Sequence, residues 1–177
     1  IRPIISGGAE AWMVAGALAK DKIPVIVQPL QNLPSSFESL GSRADNAALL
    51  EAAGVPVIIS TFDTHRGNAL RQYAGNAVRG GMTHDGALRA VTLEAARAFG
   101  MEKTHGSLEK GKAANIVVWS GDPFEPLTQV DHVFIQGHKT SLESRQTRLF
   151  EKYRKLHRRG EPAEKTLGSS EKTNKDN

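Results

Sequence analysis

The side chains of this sequence best suited to chemistry are a carboxylate and an imidazole set close together. Asp63 and His65 lie in Ser60-Thr-Phe-Asp-Thr-His65, just after Val55–Ile59, an apolar and largely β-branched run that reads as a strand. A carboxylate at a strand end can take a proton from water attacking a carbonyl carbon and pass it to the leaving group. An Asp ahead of a helix also reads as an ordinary cap or loop carboxylate. His65 reads as a polar loop residue or as a pocket residue contacting substrate. His84, His105, His132 and His138 form no H-x-H or i, i+4 pair, so they read as structural or solvent-facing. No cysteine is present, which excludes disulfides and thiolate metal sites. Any zinc must be held by His and carboxylate ligands.

The elements that position Asp63 follow from the pattern around it. Pro3–Ser6 is a short apolar run meeting Gly7-Gly8, a tight turn into a helix marked by Ala11, Trp12, Val14, Ala15 and Leu18. Ile23–Val27 leads through a Pro- and Ser-rich loop into a helix from Asn46 to Ala53, with Gly54 as its stop. Val55–Ser60 leads through the Asp63 loop into a helix marked by Leu70, Tyr73, Ala74, Ala77 and Val78, stopped by Gly80-Gly81. Strands apolar at every position suit a parallel sheet covered on both faces. Strand alternating with helix predicts an α/β fold with right-handed crossovers, either a doubly wound sheet or part of a (β/α)8 barrel. Three parallel strands are too few for either, since a complete barrel takes about 250 residues. Thr83 predicts an N-cap for one further helix running to Phe99 and closed by Gly100. Ala114–Trp119 and His132–Ile135 read as strands, with Gln136-Gly137 as a turn.

Composition and charge narrow the classes. The 177 residues are 39% hydrophobic, enough for a globular domain with a real core. No apolar run approaches the roughly 18 residues of a membrane span. The chain opens at Ile1 without methionine, which leaves an export signal upstream open. The net charge of +4 is carried by the end of the chain: from His138 onward there are 11 Lys or Arg against 6 Asp or Glu, and before it 12 against 13. Leu142, Leu149, Phe150, Tyr153 and Leu156 recur there at helical spacing, which predicts a docked amphipathic helix with a solvated basic face rather than a nucleic-acid or membrane site. Beyond Gly160 no apolar pattern persists, and a disordered tail is expected.

One stretch carries a family resemblance. Gly106-Ser-Leu-Glu-Lys-Gly-Lys-Ala-Ala-Asn-Ile-Val-Val-Trp-Ser-Gly-Asp-Pro-Phe124 resembles the closing sandwich motif of the amidohydrolases, and Thr92-Leu-Glu-Ala-Ala96 stands where their T-x-x-x-A precedes it. Ser60–His65 followed by Leu70–Val78 is similar to the subgroup related to imidazolonepropionases. The resemblance covers about Ile4 to Lys139. It implies the C-terminal part of a (β/α)8 TIM-like barrel, strands six to eight, over 1–100. It further implies a β-sandwich segment over 101–140, ahead of a C-terminal helix over 141–160 and the disordered tail over 161–177.

The same resemblance implies hydrolysis of a carbon–nitrogen bond in a small-molecule substrate by water activated on a divalent metal, with zinc expected. Asp63 takes the place of the strand-eight Asp, catalytic and touching the metal, and His65 the place of a substrate contact. The family's H-x-H, its bridging Lys or Glu and its strand-five His lie outside this sequence. The expected partner is therefore the N-terminal half of the barrel, self-association stays open, and the chain alone is expected to be inactive. Two departures stand out. Gly7 occupies the place of a metal-binding His at the end of strand six, and Asn115 occupies the place of Asp in G-K-x-A-D. A non-catalytic relative and a small α/β binding domain with a basic tail are the alternatives.

Overall fold

In a computed structural model, which describes residues 3–31 and 33–154, three short β-strands form a parallel sheet in the order β1 (Ile5–Ser6), β2 (Val25–Val27), β3 (Val57–Ile59). The ladders start later than the apolar runs suggest. Pro24 and Pro56 have no N–H to give, so pairing begins after them, while their carbonyls accept from Ile5 N and Val25 N at 3.0 Å each.

Register fixes two faces. Ile5, Val25 and Val57 stand side by side, as do Val27 and Ile59, and this face packs into the helical layer. Val25, Val27, Leu50, Tyr73, Ala74, Ala77, Ala87 and Ala90 form its almost solvent-free core. The many alanines let the helices approach the sheet closely. The opposite face carries Ser6, Ile26 and Ile58 in one row. Ile58 is 4% exposed, Ile26 half-buried and Ser6 exposed. The two-sided cover expected of all three strands is thus complete only at β3.

The helices are α1 (Ala15–Lys20), entered by a 3-10 turn over Ala11–Val14, α2 (Asn46–Ala52), and α3 (Leu70–Arg79), entered by a 3-10 segment over Thr64–Ala69. The single helix expected from Thr83 to Phe99 is two: α4 (His84–Ala90) and α5 (Leu93–Ala98). The Thr92 hydroxyl donates to Leu88 O at 2.6 Å, and its backbone sits at φ −131°, ψ −87°, outside the helical region. Thr83 does cap α4. Its hydroxyl accepts from Gly86 N at 2.9 Å, while the Glu51 carboxylate accepts from Thr83 N and Oγ1 at 2.8 and 2.6 Å.

An antiparallel sheet follows: β4 (Ile116–Trp119), β5 (Val130–Ile135) and β6 (His138–Thr140). Gln136 and Gly137, at φ +51° and +80°, make the expected turn, a two-residue hairpin that leads into a third strand. His-Lys-Thr is short, polar and exposed, so β6 left no apolar signature. The sheet exposes Val117, Val118 and Ile135. The Gly106–Phe124 stretch has local reasons for its residues. Ser107 Oγ donates to Glu109 Oε1 at 2.7 Å and the Lys112 ammonium lies 3.4 Å from the same oxygen, which together hold the Glu109 carboxyl below its ordinary pKa. Asn115 Oδ1 accepts from Gln136 N at 2.8 Å, so Asn does there what an Asp would do.

The residues from Ser141 form a separate unit, whose described residues include the helix α6 (Arg145–Tyr153), closed at its start by reciprocal hydrogen bonds between Ser144 and Thr147. Its Leu149, Phe150 and Tyr153 are exposed. Leu156 and the expected tail lie outside the described residues. No helix among the described residues is long and apolar enough to cross a membrane.

Candidate active site

The C-terminal ends of parallel strands are where α/β folds collect their chemistry, because every following loop starts there. Here that end carries Ser6-Gly7, Gln28 and Ser60–Asp63. Asp63 stands after β3 at this end. It caps the segment leading to α3, with Oδ1 accepting from His65 N at 2.8 Å and Oδ2 lying 3.4 Å from Arg66 Nε. Its side chain remains 39% exposed, so the carboxylate is both a cap and reachable. The reading of Asp63 as a cap is met by this geometry. His65 is exposed and contributes its backbone N–H to the cap.

A turn that the sequence did not single out supports Asp63. Thr61, buried at 7% exposure, donates its hydroxyl to Asp63 O at 2.9 Å and lies 3.4 Å from Asp63 N. Ser60 Oγ accepts from Phe62 N at 3.1 Å, and Gln28 Nε2 reaches across from the end of β2 to donate to Thr61 O at 2.9 Å. Between them Phe62 holds φ +49°, the left-handed region that a bulky side chain rarely adopts. Hydroxyls on Ser60 and Thr61 hinted at a turn, but the Gln28 link joins residues 33 apart and is invisible to local pattern.

At the end of β1, Gly7 adopts φ +75° and Gly8 packs so closely that a Cβ would lie 2.7 Å from Val25 Cγ1. The Gly-Gly pair is thus a tight turn, held from behind by fully buried Asn46, which donates to Gly8 O at 2.8 Å and accepts from Trp12 N at 3.2 Å. Gly7 offers no ligand. Among the described residues no three His, Asp or Glu side chains are grouped to hold a metal ion, so these residues by themselves do not make a metal centre.

His84, His105, His132 and His138 lie in or around the helices and the antiparallel sheet. His84 Nε2 lies 2.9 Å from Asp122 Oδ2, and its ring packs 4.8 Å from that of Phe124. The N–H of Phe124, at 2.9 Å, and the His84 ring hold the Asp122 carboxyl below its ordinary range. His105 Nδ1 meets Thr104 Oγ1 at 2.9 Å, His132 packs edge-on to Phe134, and His138 opens β6 in an exposed position.

Arg71 ties α3 to the 122–129 loop. Its guanidinium lies 5.3 Å over the Trp119 ring and donates to the carbonyls of Pro123, Glu125, Pro126 and Thr128, the last at 2.8 Å. A cleft of about 620 Å3 opens beside it, lined by Asn68, Trp119, Leu127 and Val130. The Arg71 charge at its wall is occupied by backbone carbonyls.

A parallel βα sheet followed by an antiparallel sheet defines an α/β protein. Residues 6–140 match the amidohydrolase family. The chain belongs to that family.

An imidazolonepropionase of Flavobacterium psychrophilum is 28% identical over 158 residues, which cover 74% of this chain and 37% of that protein. One from Pseudomonas fluorescens is 63% identical over 41 residues, covering 23% of this chain and 10% of that protein. A crystal structure of an amidohydrolase from Thermotoga maritima superposes with a TM-score of 0.71 at 32% identity, covering 78% of this chain and 36% of that one. In fold alone the chain is also similar to a zinc-bound adenosine deaminase from Xanthomonas campestris, with a TM-score of 0.55 at 23% identity, covering 85% of this chain and 40% of that one. The chain thus spans little more than a third of the Flavobacterium and Thermotoga relatives.

Proposed function

We propose that this chain is the C-terminal portion of an enzyme that hydrolyses a carbon–nitrogen bond, in an amide, cyclic amide or similar group, with Asp63 as general base. The observation that carries the reading is the position of Asp63 after β3, exposed at the loop end of a parallel sheet within the family match. In this reading β1, β2 and β3 take the places of barrel strands six, seven and eight. The row Ser6, Ile26, Ile58 faces the barrel interior, and β4 to β6 belong to a small sandwich.

The Asp63 carboxylate takes a proton from the attacking water and delivers it to the departing nitrogen, turning a poor leaving group into a neutral amine. The His65 N–H, at 2.8 Å, and Arg66, 3.4 Å away, orient the carboxylate for these transfers. The His65 ring faces substrate. A divalent metal, zinc in this reading, supplies an acidified water when bound, with Asp63 as one ligand and the others from segments outside this sequence. Those segments are the N-terminal half of the barrel, and alone the chain is inactive. The test is turnover by the protein that joins this chain to its N-terminal half, against a panel of imidazolones, N-acyl amino acids and dipeptides. Hydrolysis that depends on added zinc supports the reading; none across the panel with metal bound counts against it.

Gly7 favours a second reading. With no ligand at the end of β1, a relative that keeps the barrel for binding or assembly is the alternative. A protein whose upstream segment lacks H-x-H would be that relative.

A further inference from the structure

We propose that Thr61, braced by Gln28, is a positioning residue for Asp63, a role that rests on the reading of Asp63 as the base. The geometry is specific. A general base must be held to within a fraction of an ångström of the proton it takes, and a loop aspartate has no regular element to hold it. Three side-chain hydrogen bonds replace that element here: Phe62 N to Ser60 Oγ at 3.1 Å, Thr61 Oγ1 to Asp63 O at 2.9 Å, and Gln28 Nε2 to Thr61 O at 2.9 Å.

Phe62 between them stands at φ +49°. A bulky residue keeps that conformation only where its surroundings over-determine it, and such strain collects at functional sites. Thr61 is the one member that is buried, at 7% exposure, with its hydroxyl turned onto the Asp63 backbone instead of toward solvent. Gln28 comes from the neighbouring strand, so the aim of Asp63 is referred to the sheet rather than to its own loop. An Asp serving only as a helix cap needs none of this, because capping requires just an extended residue before the first turn.

The test compares Thr61→Val, Thr61→Ser, Gln28→Met and Asp63→Asn in the protein carrying this chain, and pairs kinetics with backbone NMR shifts of Phe62 and Asp63. Expected are a kcat lowered about 10- to 100-fold in Thr61→Val with KM unchanged, loss of the left-handed shift signature of Phe62, and recovery of both in Thr61→Ser. Gln28→Met should show the same pattern more weakly, and it stands in if Thr61→Val fails to fold. Parent-level kcat in Thr61→Val, or in Gln28→Met where that variant stands in, with Asp63→Asn inactive, overturns the positioning role alone. So does a kcat loss that Thr61→Ser does not recover. Full activity in Asp63→Asn overturns the reading of Asp63 itself, and the positioning role falls with it.

Discussion

At the scale of single residues, Asp63 was legible because strand, carboxylate and helix follow one another along the chain. Its supports were not, because Gln28 and Thr61 meet only when β2 and β3 pair. The Gly-Gly turn was legible too, since two glycines after an apolar run have few other uses. Asn46 was readable only as a helix residue, although it is fully buried and anchors that turn through Gly8 and Trp12. The Asn115 departure is a local exchange of equivalent acceptors. Asn115→Asp is expected to leave thermal stability near that of the parent. Asn115→Ala should lose about 0.5–1.5 kcal/mol by removing the acceptor of Gln136 N, measured by denaturant unfolding.

At the scale of elements, β-branched runs announced the parallel strands, and glycine at φ +83° and +102° ended α2 and α3 where Gly54 and Gly81 stand. What escaped the pattern was competition within it. The back-bonding of Thr92 splits α4 from α5, proline trims β2 and β3, and the exposed β6 has no apolar residue to show. The contact joining α4 to the loop after β4 carries its own pH signature. The Asp122 carboxyl is held below its ordinary value by Phe124 N and His84, so the folded state favours its ionised form. That contribution is present above the unfolded pKa of about 3.9 and lost as pH falls through the lower folded value. Asp122→Asn should therefore lower the melting temperature at pH 6, and the difference should shrink as pH falls below the unfolded pKa and through the lower folded value. A difference that does not change with pH would contradict it.

At the scale of the whole molecule, the chain has a core but not a closed surface. Leu50 lies at 0% exposure in the helical layer, so Leu50→Ala should cost about 2–5 kcal/mol in unfolding experiments. Yet β1 and β3 each have one edge with no partner among the described residues, while Leu33, Phe37 and Leu40 stand 71%, 89% and 63% exposed in the loop after β2. Open edges and exposed apolar side chains bind their like. The isolated chain is expected to self-associate in size-exclusion chromatography and to show weak hydrogen-exchange protection in β1; a monomer with a protected β1 would count against the need for a completing half. The claim that unites these scales is that Asp63 does chemistry at the loop end of that sheet. Its most direct test is the turnover number of Asp63→Asn, loaded with zinc and joined to the N-terminal half of the barrel. The account predicts a fall of about 10²- to 10⁴-fold with zinc content and KM nearly retained; turnover equal to the parent would contradict it.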